Sequence, residues 1–215
     1  MEQKKFVKVG LSIENFRAYV GMIENEVDHF MRTDGAFLTF QVNDITDWGR
    51  FDATDIVAQI TILTASRTLQ GSEVREGMDK SFSELFNDLD GGFTPLNFMF
   101  PNLPLESYRK RDEAHKKMSA FYVDIIRKRR ESSTVSPDFN VLHFVLTLWQ
   151  DAQDMISALM SQKYRTGRAL PDHEIAHIMI ALLMAGQHTS SATGSWALLH
   201  LAENIKVQYV HPRVF

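Results

Sequence analysis

The chain has 215 residues, of which 44% are hydrophobic and 23% charged, with a formal net charge of -4. These values are typical of one globular domain or a large piece of one, and the small negative charge gives no global field that would attract nucleic acid. The sequence contains no cysteine, which excludes disulfides, thiolate metal ligands and a cysteine nucleophile from these residues.

Most of the chain predicts helices separated by recognisable breaks. Ser12 is a plausible N-cap for an amphipathic helix, whose apolar positions between Phe16 and Phe30 predict one buried stripe. Residues 36–40 predict a short strand or a loop. The other helix ends that the pattern predicts are a start at Asp52 or Thr54, a stop at Gly71, a stop at Asp90-Gly91-Gly92 and a start at Pro171-Asp172.

Residues 93–104 are apolar, aromatic and rich in proline, which forbids a long helix or a central strand. A loop with three phenylalanines either packs down on the protein or lines a ligand entrance, and both interpretations stay open. A long amphipathic helix follows, with apolar positions at Ala114, Met118, Phe121, Tyr122 and Ile125. We interpret its two basic runs, 109–111 and 127–130, as solvated helix ends.

The polar residues 131–137 are typical of a linker, and residues 139–149 are apolar without clear amphipathy. Helical spacing resumes at Met155, and no repeat or sustained strand alternation appears. The predicted fold class is therefore mainly α, with little or no sheet. The polar N-terminus and the short apolar runs predict neither a signal peptide nor a membrane anchor in this sequence.

Two motifs are candidates for chemistry, and the first is His173-Glu174-Ile175-Ala176-His177. Two histidines one turn apart with a glutamate beside the first match the zinc-hydrolase pattern, in which the glutamate activates water. The metzincin extension is missing, because Ile180 and Leu183 occupy its glycine and third-histidine positions. The alternative is that His173, Glu174 and His177 form only the polar first turn of a helix.

The second motif is the run Ile178 to Ser190, which sets a polar His-Thr-Ser cluster after an apolar helical stretch. Ala185 and Gly186 remove side-chain bulk, which lets a flat ligand approach the helix backbone. The following hydroxyls can bond back to carbonyls one turn earlier or distort the helix locally. The alternative is a close helix crossing at Ala185-Gly186, with the hydroxyls in a polar layer.

Ala185-Gly186-Gln187-His188-Thr189-Ser190 resembles the oxygen-binding helix of the cytochrome P-450 superfamily, whose pattern is small-Gly-x-acidic-Thr-Thr/Ser. Histidine at the acidic position is the variant of the sterol 14α-demethylases. Three further segments, 3–8, 64–71 and 88–98, are similar to the fungal members of that family. The resemblance implies a partial cytochrome P-450 fold made of central helices.

The resemblance also implies roles for individual residues. His188 and Thr189 would be catalytic and relay protons to the oxygen side of a haem, while Ala185, Gly186 and Thr189 would flank that haem. Lys4 would contact a haem propionate. The substrate-entrance residues that the resemblance implies are Phe93, Pro95 and Phe98.

By the same resemblance, the cofactor is haem iron and the ligands are a sterol and azole-type inhibitors. The redox partner is NADPH-cytochrome P-450 reductase, and the location is the endoplasmic reticulum membrane. The family's axial cysteine and Glu-x-x-Arg helix are absent from these residues, so we expect no monooxygenase activity from this chain alone. A zinc hydrolase and a non-catalytic helical binding module remain the alternative functions.

The domain organisation predicted from the resemblance has three parts. Residues 1–204 form a partial cytochrome P-450 domain, residues 139–149 are a possible insertion within it, and residues 205–215 are a tail that does not continue the family pattern. Retained intron sequence is one hypothesis for the two departures, and sequencing the spliced transcript tests it.

Overall fold

The computed structural model describes residues 2–35, 52–78, 80–132, 154–204 and 206–207, and these residues are mainly helical. Their one extended pairing is an isolated bridge between Lys163 and Ala169. The predicted mainly α class is confirmed. In chain order the helices are α1 (Gln3–Gly10), α2 (Ile13–Thr33), α3 (Ala53–Ala65), α4 (Ser72–Gly77), α5 (Lys80–Gly91), α6 (Pro95–Met99), α7 (Glu106–Ser132), α8 (Met155–Met160) and α9 (Asp172–Glu203).

Local capping explains why several helices begin where the sequence predicts. The Ser12 hydroxyl accepts a hydrogen bond from the Asn15 amide at 3.2 Å, and the Asp52 carboxylate accepts one from the Thr54 amide at 2.8 Å. Each cap satisfies an amide that has no partner within its helix. At the far end of α3 the chain widens into one turn of π-helix (Ser66–Gln70, the π-turn) and leaves it at Gly71, whose φ of 97° favours glycine.

The core lies where α7, α8 and the first half of α9 meet. Met118, Tyr122 and Ile126 of α7 are fully buried there. Helix α9 packs against α3 and α7, α5 packs against α7, and α1 lies on α8. No helix in the described part combines the length and apolarity needed to cross a membrane.

Two predictions about surfaces are wrong. The stripe of α2 is buried at Tyr19 and Phe30, whereas Phe16, Val20 and Ile23 are exposed, because α3 and the π-turn, which make the most extensive described contacts with α2, leave that part of the stripe uncovered. The basic runs of α7 are not wholly solvated. The Arg129 side chain is 12% exposed and lies between Glu73 and Asp154, at 2.5 and 2.7 Å.

Arg111 is the second exception to the solvated basic runs, with a side chain that is 17% exposed. Several predicted segments lie outside the described residues, namely 36–40, the linker residues 133–137, the insertion 139–149 and residues 208–215. The Phe98 side chain also lies outside the described part, although its backbone belongs to α6.

Candidate functional site

Helix α9 stays α-helical through the polar cluster. The Thr189 hydroxyl donates to the Ala185 carbonyl at 2.7 Å, and the Thr193 hydroxyl donates to the Thr189 carbonyl at 2.7 Å. The predicted bonding of hydroxyls back to carbonyls one turn earlier is therefore confirmed. Because these bonds supplement the ladder of α9, no local distortion appears between Asp172 and Glu203.

Ala185 and Thr189 lie exposed on one face of α9, four residues apart. A Cβ built on Gly186 would meet no atom within 4 Å, so no described helix crosses there. The close crossing occurs instead at Gly194, where a Cβ would lie 2.8 Å from Val57 Cγ1 of α3. The close-crossing interpretation of Ala185-Gly186 is wrong for the described residues, and a flat open helix face is what these small residues provide.

The His188 side chain contacts α5. Its Nε2 lies 2.6 Å from Asp90 Oδ1, and its ring centroid lies 6.4 Å from that of Phe86. Both partners are partly open, with 56% of the His188 side chain and 34% of the Asp90 side chain exposed. A partly exposed imidazole held by a carboxylate has a fixed orientation and contact with solvent, which are the requirements of a proton carrier.

The proposed entrance residues follow Asp90 directly. The Phe93 amide donates to the Asp90 carbonyl at 2.7 Å, and Pro95 begins the short helix α6 with Thr94 as its N-cap. Phe93 is exposed, so this segment does not pack its aromatic ring into the described core. The last turn of α5 thus connects the contact between His188 and Asp90 to the proposed entrance residues that begin at Phe93.

Lys4 lies elsewhere in the described structure. It is exposed on α1, whose Gln3 side chain reaches Glu174 at 3.4 Å near the start of α9. Glu174 and Ala185 are separated by about 16 Å of helix at 1.5 Å per residue. Lys4 is therefore not brought next to the Ala185 face by the contacts of α1.

The residues of the zinc-hydrolase pattern, His173, Glu174 and His177, contact neighbouring side chains. Tyr164 donates its hydroxyl to the Glu174 carboxylate, which also accepts from Arg168 at 2.8 Å. The hydrogen bond from Tyr164 lowers the pKa of Glu174. The His173 and His177 ring centroids are 6.1 Å apart, and within the described ranges no three acidic or imidazole side chains converge as metal ligands would. The structure favours the interpretation as a polar first turn.

The sequence indicated Asp90 only as part of a helix end and gave it no role in the site, because its partner His188 lies 98 positions later. The only other sequence signal of Asp90 is its position inside the segment 88–98 that resembles the fungal family. Gln187 was also missed. It is buried and its Oε1 has no hydrogen-bond partner among the described residues, whereas the flanking residues of the motif are exposed or half-exposed.

The cytochrome P-450 family model matches residues 2–209. The chain therefore belongs to the cytochrome P-450 family, and this family implies a haem iron cofactor. The matched residues extend beyond Asn204, where the sequence placed the end of the family pattern.

Curated relatives narrow the resemblance within that family. The chain is 55% identical over 209 residues to a lanosterol 14-alpha demethylase of Mycosarcoma maydis, covering 96% of this chain and 35% of that protein. It is 48% identical to one of Schizosaccharomyces pombe, covering 96% and 38%, and 42% identical to one of Candida tropicalis, covering 97% and 36%. The chain thus spans a little over a third of the length of the curated relatives it matches.

Proposed function

We propose that these residues form the oxygen-side wall and the substrate entrance of a sterol 14α-demethylase. The observation that carries the proposal is the 2.6 Å contact between His188 Nε2 and Asp90 Oδ1. It joins a proton-carrying side chain beside the small-residue face of α9 to the segment that begins at Phe93. The relatives named above, all lanosterol 14-alpha demethylases, support the same assignment.

The residues present fit one face of a haem. Ala185, Gly186 and Thr189 offer an open surface with no bulky side chain, which suits a flat macrocycle lying against the helix. The chain contains no cysteine, so the axial thiolate of the family is not among these residues. When bound, haem supplies the activation of dioxygen, and Lys4 is proposed to pair with a propionate.

The chain's own contribution to the chemistry is proton handling. Asp90 fixes the His188 ring through Nε2, which leaves Nδ1 to exchange a proton on the other side of the imidazole. Thr189 donates its hydroxyl hydrogen to the Ala185 carbonyl, so the lone pairs of Oγ1 are available to accept a hydrogen bond. In this proposal His188 takes up a proton from solvent at Nδ1 and releases it from Nδ1 toward the open face, where the exposed Thr189 hydroxyl accepts a hydrogen bond.

The entrance is proposed to take an apolar, rigid ligand. Phe93 and Pro95 provide apolar surface at the edge of the fold, and burial of such surface stabilises a sterol by about 25 cal/mol per Å². Phe98 is proposed to contribute as well. For the whole protein we propose azole-type inhibitors as competing ligands, NADPH-cytochrome P-450 reductase as the electron donor and the endoplasmic reticulum membrane as the location.

A chimera tests this function directly. Residues 2–209 of this chain replace the matched region of the Mycosarcoma maydis enzyme, and lanosterol turnover is measured together with the reduced carbon monoxide spectrum. We expect a thiolate-ligated haem spectrum and demethylation of lanosterol. A chimera that loads haem normally but neither binds nor demethylates lanosterol contradicts the proposal.

Asp90→Asn in that chimera isolates the proton relay. We expect kcat to fall by roughly 10² with little change in KM, because the amide no longer orients the imidazole as the carboxylate does. Asp88→Asn is the matched control, since Asp88 is exposed on the same helix. Equal kcat values for the two variants would remove Asp90 from the relay.

A further inference from the structure

Residues 93–105, the entrance segment, carry large apolar side chains that are exposed. Phe93, Leu96, Met99 and Phe100 are all largely exposed, with Met99 reaching 71%. Burial of these four side chains therefore contributes little to holding the segment in place. Several of its backbone hydrogen bonds join residues close in sequence, such as the Phe100 amide to the Leu96 carbonyl at 2.8 Å.

Arg111 of α7 makes side-chain contacts that join the entrance segment to α7. Its aliphatic stem lies against Gly92, where a Cβ would be 2.5 Å from Arg111 Cδ and 2.6 Å from its Cβ. Its Nη1 donates to Asn97 Oδ1 in α6. One side chain thus touches both the end of α5 and the middle of α6, on either side of Phe93 and Pro95.

The surroundings of Arg111 hold its guanidinium in one orientation. The guanidinium carbon lies 4.8 Å from the centroid of the Tyr108 ring, and Nε donates to Asp112 Oδ1 at 2.8 Å. Tyr108 is buried and its hydroxyl has no partner among the described residues, so the ring serves as an apolar platform. A planar cation with several fixed donors fits this place, whereas a lysine ammonium reproduces neither the stacking nor both bonds.

We propose that Arg111 is the positioning residue of the entrance segment, holding α6 against α7 through Gly92 and Asn97. Its importance as an entrance residue rests on the proposed function, but its action as a clamp does not. Glycine is required at position 92 for this contact, because only a residue without Cβ leaves room for the aliphatic part of the Arg111 side chain.

Amide hydrogen exchange on the full 215-residue chain tests the clamp without haem or sterol. In Arg111→Met, which keeps the stem and removes the donors, we expect exchange at the Phe93 and Phe100 amides to accelerate about tenfold. Exchange at the buried Ile126 and Met179 is expected to stay unchanged, which a general loss of stability would not allow. Arg109→Met, an exposed neighbour on α7, is the matched control.

Asn97→Ala keeps Arg111 and removes its acceptor, so it must accelerate the same two amides even if Arg111→Met fails to fold. Unchanged exchange at Phe93 and Phe100 in Asn97→Ala overturns the proposal. Lanosterol added from cyclodextrin forms a separate arm. Wild-type chain that binds no lanosterol counts against the proposed function, while the exchange rates still decide the clamp.

Discussion

The two halves of α9 differ in how much of their surface is covered: the first is buried on most sides, and the second packs on α3 along one side and is otherwise exposed. In the anchored half, Asp172–Met184, Ile175, Met179 and Leu183 are almost completely buried under α7 and α8. In the open half, Ala185–Glu203, Trp196 is 61% exposed and Leu199 59% exposed. The polar motif begins at the boundary, so one continuous helix is held rigidly at one end and presents His188 and Thr189 where it leaves the core. Rigid support directly behind exposed polar groups is what precise positioning of a site requires.

The largest test of this contrast compares two leucines on α9. Leu183→Ala in the anchored half is expected to lower the free energy of unfolding by about 2–5 kcal/mol, because it leaves a cavity in a packed core. Leu199→Ala in the open half is expected to change it by less than about 0.5 kcal/mol. Urea unfolding of the full chain measures both. Similar losses for the two variants would show that the open half is also packed.

The anchored side also contains a charge whose ionisation depends on the fold. Burial raises the pKa of Asp154 from 3.8 to about 6, while the attraction of Arg129 offsets part of that rise. Between about pH 4 and pH 6 the unfolded chain has lost a proton that the folded chain retains. The free energy of unfolding is therefore expected to fall as the pH rises through this window, by at most about 1.4 kcal/mol per pH unit.

The variant Asp154→Asn removes that proton difference, so the expected result is a flatter pH profile between pH 4 and pH 6. Asp172→Asn is the control, because Asp172 pairs with Arg130 at a half-exposed site. Loss of the Arg129 ion pair shifts the whole Asp154→Asn curve without adding slope. Parallel curves for wild type and Asp154→Asn across the window would contradict the prediction.

Two glycines of the open half distinguish a helix crossing from an open face. Gly194→Ala is expected to cost about 1–3 kcal/mol, because its Cβ meets Val57 Cγ1 of α3. Gly186→Ala is expected to stabilise the chain by up to about 1 kcal/mol, since alanine favours the helix and meets nothing there. Thermal unfolding followed by circular dichroism gives the two signs. A loss at Gly186 would indicate a packing partner on the face proposed to lie against haem.

Features whose interacting residues are close together in the sequence could be predicted, whereas contacts between distant residues could not. Ser12 and Asp52 cap their helices through residues two or three positions away, so their roles were visible in the pattern. The His188-Asp90 contact joins residues 98 positions apart, and no spacing rule reveals it. The sequence likewise does not show that Arg111 is covered, since its partners Gly92 and Asn97 lie outside its own helix. The family resemblance, by contrast, was visible in contiguous motifs.

The smallest expected change in stability concerns the hydrogen bonds of Gln70, which connect the π-turn to α7 and to the anchored half of α9. Tyr122 donates to Gln70 Oε1 at 2.6 Å, and Gln70 Nε2 donates to the Met179 carbonyl at 3.4 Å, so the π-turn is tied to both α7 and α9. Tyr122→Phe leaves the buried Gln70 oxygen without its donor and is expected to cost about 1 kcal/mol. Tyr108→Phe is the matched control in α7, since that buried hydroxyl has no partner in the described part and its loss is expected to be close to neutral. Guanidinium unfolding of both variants gives the difference. If the two cost the same, this connection contributes only packing, and the rigidity of the anchored half comes from its apolar contacts alone.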